Sequence, residues 1–206
     1  MRSRSDSLIL DRAFYERDAF AVARELLGKV LVRETEKGIT SGRIVETEAY
    51  IGPEDMASHA YKSLRTRRTE VQYGPKGHAY IYFVYGLYYC LNVTSGEISG
   101  KPEAILIRAV EPIEGIEIML NNRELTEDKV KKLTSGPGKL CDAMEITTKL
   151  NGHDLVKPPL YIENGDKVSQ IRIQQAKRIG VDYAGRWKNM LWRYFIEDND
   201  FVSRAP

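Results

Sequence analysis

The spacing of apolar and polar positions changes period several times along the chain, and each change marks an element. The first seven residues are polar and read as a frayed end. Asp18 is placed to cap a helix whose apolar stripe, Phe20, Ala23, Leu26 and Leu27, stops at Gly28. "KVLVRE" and "TSGRIVETEAY" alternate with a period of two and predict strands around a turn at Glu36-Lys37-Gly38. "GPEDMASHAYKS" opens with turn residues and predicts no more than a short helical piece. "YIYFVYGLYYCLN", residues 80–92, reads as two strands meeting near Tyr85-Gly86, where glycine permits a tight turn. "AILIRAVEP" predicts a strand, "IEGIEIMLNNR" a helix, and Ser135 and Pro137 start a further helix through "KLCDAMEI". From "PLYIE" through "SQIRIQQAKRIG" to "WRYFIE" the pattern is again mostly that of strands. Strands and helices without a βαβ rhythm predict an α+β fold, a largely antiparallel sheet with flanking helices.

At 206 residues the whole chain, 1–206, is expected to form one domain. A hydrophobic share of 42% beside 29% charge is that of a soluble globular protein. The net charge of +2 hides an uneven distribution. Lys62, Arg65, Arg67, Arg68 and Lys76 stand against Glu70 alone between Tyr61 and Gly77. Such a run fits a solvated loop, and it also fits a surface that meets phosphates. The two cysteines, Cys90 and Cys141, cannot make a four-cysteine metal site. With no signal peptide and no long apolar run, the expectation is a reduced, cytoplasmic protein.

The residues that could carry chemistry lie on the strands. A period of two puts Ile44, Glu46, Glu48 and Tyr50 on one face, and paired carboxylates suit general acid–base work at a glycosidic bond. Taken alone, the same pattern describes an edge strand with a solvated charged face. Arg108 interrupts an apolar strand, where a charge needs a partner. His59 has no convergent metal-ligand pattern around it. "SGPGK", residues 135–139, is only loosely like a phosphate-cradling loop. The aromatic segment is unusual: five tyrosines and a phenylalanine in thirteen positions, although a buried tyrosine hydroxyl must find a partner. Rings that are flat and polar-tipped suit stacking on a base.

Taken together, "GRIVETEAYIGPEDMASHA", "GHAYIYFVYGLYYCLNV", "AILIRAVEPIEG", "LTSGPGKLCDAMEI" and "WRYFIEDNDFVS" resemble the alkyladenine (3-methyladenine, methylpurine) DNA glycosylases, collinearly from about Asp11 to Ser203. The resemblance implies a mixed α/β domain with a β-hairpin that enters DNA. It implies a repair enzyme that flips alkylated purines out of double-stranded DNA and hydrolyses the N-glycosidic bond, leaving an abasic site. By the same resemblance Glu48 would activate water and Arg108 would hold that water and the nearby charge. Tyr50, His59 and Tyr82 would line the base pocket, Asn92 would limit which purines fit, and Tyr85 would wedge into the vacated stack. Arg65, Arg67, Arg68 and Lys76 would face the DNA backbone. No metal, cofactor or lyase chemistry is implied, and a monomer is expected. The sequence departs from the bacterial pattern at Arg67, where proline is expected, and at Gln72-Tyr73, where Met-Phe is expected. A non-catalytic nucleic-acid-binding protein with an aromatic hairpin is the alternative; it would not need Glu48 in a dry, aromatic-lined position.

Overall fold

The computed structural model describes residues 8–84, 86–165 and 172–203. Tyr85, and with it the wedge expectation, lies outside the described residues. Eight strands among the described residues form one antiparallel sheet: β1 (Val30–Thr35), β2 (Gly38–Ile51), β3 (Ala79–Val84), β4 (Tyr88–Thr94), β5 (Glu103–Glu114), β6 (Leu160–Glu163), β7 (Ile173–Ala176) and β8 (Arg193–Ile196). Their order is β3-β4-β5-β2-β1-β6, with β8 joined to β2 and β7 to β8.

β2 is the spine of this sheet. It pairs with β5 along nearly its whole length. On its other edge the first half pairs with β1, and Glu46 to Glu48 pair with β8. The register with β5 shifts between Ile44 and Glu46 and again before Thr47, so Val45 and Arg108 each stand as an extra residue in the ladder. A charged stretch that could have been an edge is thus central, and Glu46 and Glu48 are fully buried.

The alternation along the strands separates two faces. Ile81, Leu91, Val93, Ile105 and Ile107 belong to the main core. Tyr82, Cys90, Asn92, Leu106 and Arg108 line a cavity on the other face. Helix α2 (Ala19–Glu25) packs on the core face: Asp18 caps it through the Ala21 amide at 2.9 Å, and Thr47 donates to the Ala23 carbonyl at 2.8 Å. A four-residue helix, α1 (Arg12–Tyr15), precedes it; it is too short to leave a periodic signature. Helices α3 (Ile116–Asn122) and α4 (Pro137–Ala143) follow β5. α4 ends earlier than "KLCDAMEI" suggests, because Glu145 takes a left-handed conformation at φ 51°. "GPEDMASHAYKS" is mostly turns, with a 3-10 turn at Tyr61–Ser63.

β3 and β4 form the expected hairpin, closed by the Leu87 amide on the Val84 carbonyl at 3.0 Å. Gly86 adopts φ 69° at this turn, a left-handed conformation that glycine accepts without strain. Gly138 of "SGPGK" lies against the hairpin. A Cβ at Gly138 would lie 2.9 Å from the Tyr88 ring, so only glycine permits this approach.

Candidate active site

One row of directly opposed residues crosses five strands: Tyr80, Asn92, Leu106, Glu48 and Arg193. Antiparallel partners share a face, so the ladder itself carries tyrosine, amide, carboxylate and guanidinium to one place. Above this row lies a cavity of about 520 Å³.

Two buried carboxylates bonded to Arg108 of its lining are held by donors alone. Glu48 Oε1 accepts from the Ile179 amide at 2.8 Å and faces Arg108 Nη1 at 3.3 Å. Its Oε2 accepts from the Tyr50 hydroxyl at 2.7 Å. A carboxylate has about four acceptor positions, so one remains open on Glu48. Tyr50, Arg108 and Ile179 also line the cavity, and Glu48 stands directly behind them. Glu46 Oε1 accepts from Arg108 Nε at 3.1 Å and Arg193 Nη1 at 2.9 Å, while its Oε2 accepts from the Ser203 amide at 2.8 Å. Arg108 therefore bridges both carboxylates. Burial works against its charge, but Glu48 and then Glu46 outweigh that and raise its pKa, so it stays a cation. Burial, and then the Glu48 carboxylate, push the Tyr50 hydroxyl well above the usual tyrosine range, which keeps it a donor.

A second buried pair fixes the wall beside Glu48. Arg178 binds both oxygens of Asp55 at 2.5 and 2.9 Å and donates to the Ala49 carbonyl at 3.0 Å. Its guanidinium lies 4.6 Å from the Tyr50 ring and 4.9 Å from Trp192. Ile179, whose amide meets Glu48, is the next residue. The three carboxylates Glu46, Glu48 and Asp55 are thus matched by the guanidiniums of Arg108, Arg193 and Arg178.

The opposite wall is aromatic. The His59 ring stands edge-on to Tyr82, centroids 4.6 Å apart, and Tyr80 tilts beside Tyr82 at 5.3 Å. His59 Nδ1 is 2.8 Å from the Tyr80 hydroxyl, and Arg68 donates to Nε2 at 3.1 Å, which places the ring proton on Nδ1. Asn92 is buried, its amide nitrogen donating to the Tyr80 carbonyl at 3.0 Å. The Cys90 thiol is pushed up to about 11 by burial and stays protonated.

Burial first, and Arg68 second, lower the His59 pKa to about 4. An unfolded histidine titrates near about 6.5, so below that pH the unfolded chain takes up a proton that the folded ring refuses. The contribution of neutral His59 is fully present above about 6.5 and is lost as pH falls toward the folded value. Urea denaturation between pH 7 and 4 should show a shallower loss of stability for His59→Gln than for the parent protein. Parallel curves would mean that the ring is not depressed.

Among the sequence-derived site residues, Tyr50, His59, Tyr82, Asn92 and Arg108 meet at this cavity, with Glu48 bonded behind Tyr50 and Arg108. Arg65 and Arg67 are exposed beyond it, and Arg65 is held by both oxygens of Glu70 at 2.6 and 2.8 Å. Arg68, also exposed, reaches into the cavity. The expectation for Lys76 is corrected. It is buried, burial lowers its pKa, and its ammonium is bound to the Lys101 carbonyl at 2.5 Å, so it presents no surface charge to a phosphate. Sequence reasoning missed Tyr80, Asp55, Arg178, Arg193 and Ser203. Arg193, the single charge before the apolar run "YFI", was the available signal, since a charge there needs a partner.

The family model of methylpurine-DNA glycosylase (MPG) matches residues 13–200. A protein of Clostridium acetobutylicum is 54% identical over 94% of this chain and 97% of its own length. One from Desulfitobacterium hafniense is 50% identical over 94% and 98%, and one from Natranaerobius thermophilus 47% over 94% and 98%. All three carry the name "Putative 3-methyladenine DNA glycosylase". The match runs through every strand that builds the cavity, and the chain belongs to the methylpurine-DNA glycosylase family.

Proposed function

We propose that this protein is a DNA glycosylase that removes N-alkylated purines such as 3-methyladenine. The observation that carries this reading is Glu48, a buried carboxylate with one acceptor position left over, bonded directly behind the Tyr50, Arg108 and Ile179 lining of an aromatic-walled cavity. A base in a duplex can be reached only when extruded, and the Tyr82 face with the His59 edge suits a flat ring. An N-alkylated purine is cationic, and tyrosine faces attract such a ring.

In the reaction, water bound at the open position of Glu48 attacks C1′ of the deoxyribose. Its proton passes to the carboxylate, the C1′–N bond breaks, and the bonding pair leaves with the base and neutralises it. Arg108 holds the carboxylate and balances its charge, while Tyr50 and the Ile179 amide fix its orientation. The exposed apolar residues of the hairpin, Phe83, Leu87 and Tyr88, would face the DNA.

Incubation with methylated duplex DNA should release free 3-methyladenine and leave an unbroken strand with an abasic site. Borohydride should trap no protein–DNA adduct, because the nucleophile is water. A trapped adduct would replace this reading with a lysine-mediated lyase. Binding without base release would make the protein a non-catalytic reader of nucleic acid.

A further inference from the structure

Arg68 is the one described group in the cavity that looks out of place. It is an exposed arginine on a turn, yet its guanidinium carbon lies 4.6 Å from the centre of the Tyr82 ring. Its Nη2 donates to His59 Nε2 at 3.1 Å. A flat cation is thus laid on the aromatic face while bonding the polar edge that stands perpendicular to it. Those are the two features that a flat, cationic purine would use there. Neighbouring Arg65 is neutralised by Glu70, but among the described residues no carboxylate pairs with Arg68.

The turn that carries it is fixed. Thr69 is buried, accepts from the Thr66 amide at 2.8 Å and donates to the Leu64 carbonyl at 2.9 Å. The side chain is a long arm on a rigid base, held at its tip by a ring face and by neutral partners, His59 Nε2 and the Tyr80 hydroxyl, with no counter-charge among the described residues. An exposed guanidinium–ring contact is weak, whereas a guanidinium–phosphate pair is charge-assisted and bidentate.

Resting on the reading of the cavity as the seat of the extruded base, we infer that Arg68 occupies that seat in the DNA-free protein and is drawn off to a backbone phosphate when DNA docks. Arg68 then couples docking to opening. The Tyr82 face is offered to a base attached to DNA and is withheld from free bases.

The test compares Arg68→Ala with the parent protein, with Lys131→Ala, an exposed cation paired with Asp200 outside the cavity, as a control and thermal melting as the folding check. Free 3-methyladenine is titrated through its inhibition of excision, and half-saturating DNA is measured against salt. Arg68→Ala should bind the free base roughly two- to five-fold more tightly, the weight of an exposed cation–ring contact. The same variant should need more DNA for half-saturation, with a salt slope smaller by about one. Opposite signs support the inference. Weaker binding of both would make Arg68 a direct contact to the seated base, and unchanged binding of the free base would make it only a wall; either overturns the inference. If the parent protein excises nothing from methylated DNA, the proposed function itself fails, which is a separate and visible result.

Discussion

Glu48→Gln should lower single-turnover excision by at least about 10²–10⁴-fold while leaving the protein folded and able to bind lesion-containing DNA. The substitution removes the proton acceptor and one of the two carboxylate charges facing Arg108, which keeps Glu46 as its counter-charge. The new amide oxygen can keep the place that faces the Ile179 amide and Arg108. Its NH2 then points at the Tyr50 hydroxyl, which turns from donor to acceptor. No donor is forced against a donor, so the loss belongs to chemistry and not to packing. Excision near the parental rate would remove Glu48 from the role of base.

The same exchange two residues earlier should have the opposite signature. Both oxygens of Glu46 face donors that cannot reverse: Arg108 Nε, Arg193 Nη1 and the Ser203 amide. Glu46→Gln must set an NH2 against one of them and leave a buried guanidinium without its counter-charge. Breaking a buried pair in this way costs about 3–5 kcal/mol. For a chain of this size that corresponds to a fall in melting temperature of roughly 6–20 °C. Calorimetry on the two variants separates the roles: Glu48→Gln loses rate, Glu46→Gln loses stability. An unchanged melting temperature for Glu46→Gln would mean that the carboxylate is not the keystone of the network.

These two residues also mark how far the sequence could be read. Period-two alternation puts Glu46 and Glu48 on one face, and both do meet Arg108. The alternation cannot show what lies on either side of the strand. β5 and β8 come from far along the chain, and the arginines that neutralise the two carboxylates arrive on those strands. A charged strand therefore looks like an edge until its partners are in place. The hairpin and α2 were legible because their signals are local: Gly86 at the turn, Asp18 at the cap. Lys76 misled for the same reason in reverse. It counts with the exposed Lys62, Arg65, Arg67 and Arg68 in the composition of this stretch, but its own ammonium turns inward to the Lys101 carbonyl. Arg68 shows a third limit, because composition can place a cation in a loop without saying that it reaches back over Tyr82.

β2 is bonded on both edges where it carries Glu46 to Glu48, to β5 on one side and β8 on the other. Amides flanked in this way belong to the segments that open only when the whole molecule does. The proposed base, Glu48, thus rides on a part of the sheet that resists local opening. Heat therefore reaches Glu48 only when the centre of the sheet opens, so the carboxylate should keep its place until the melting transition itself.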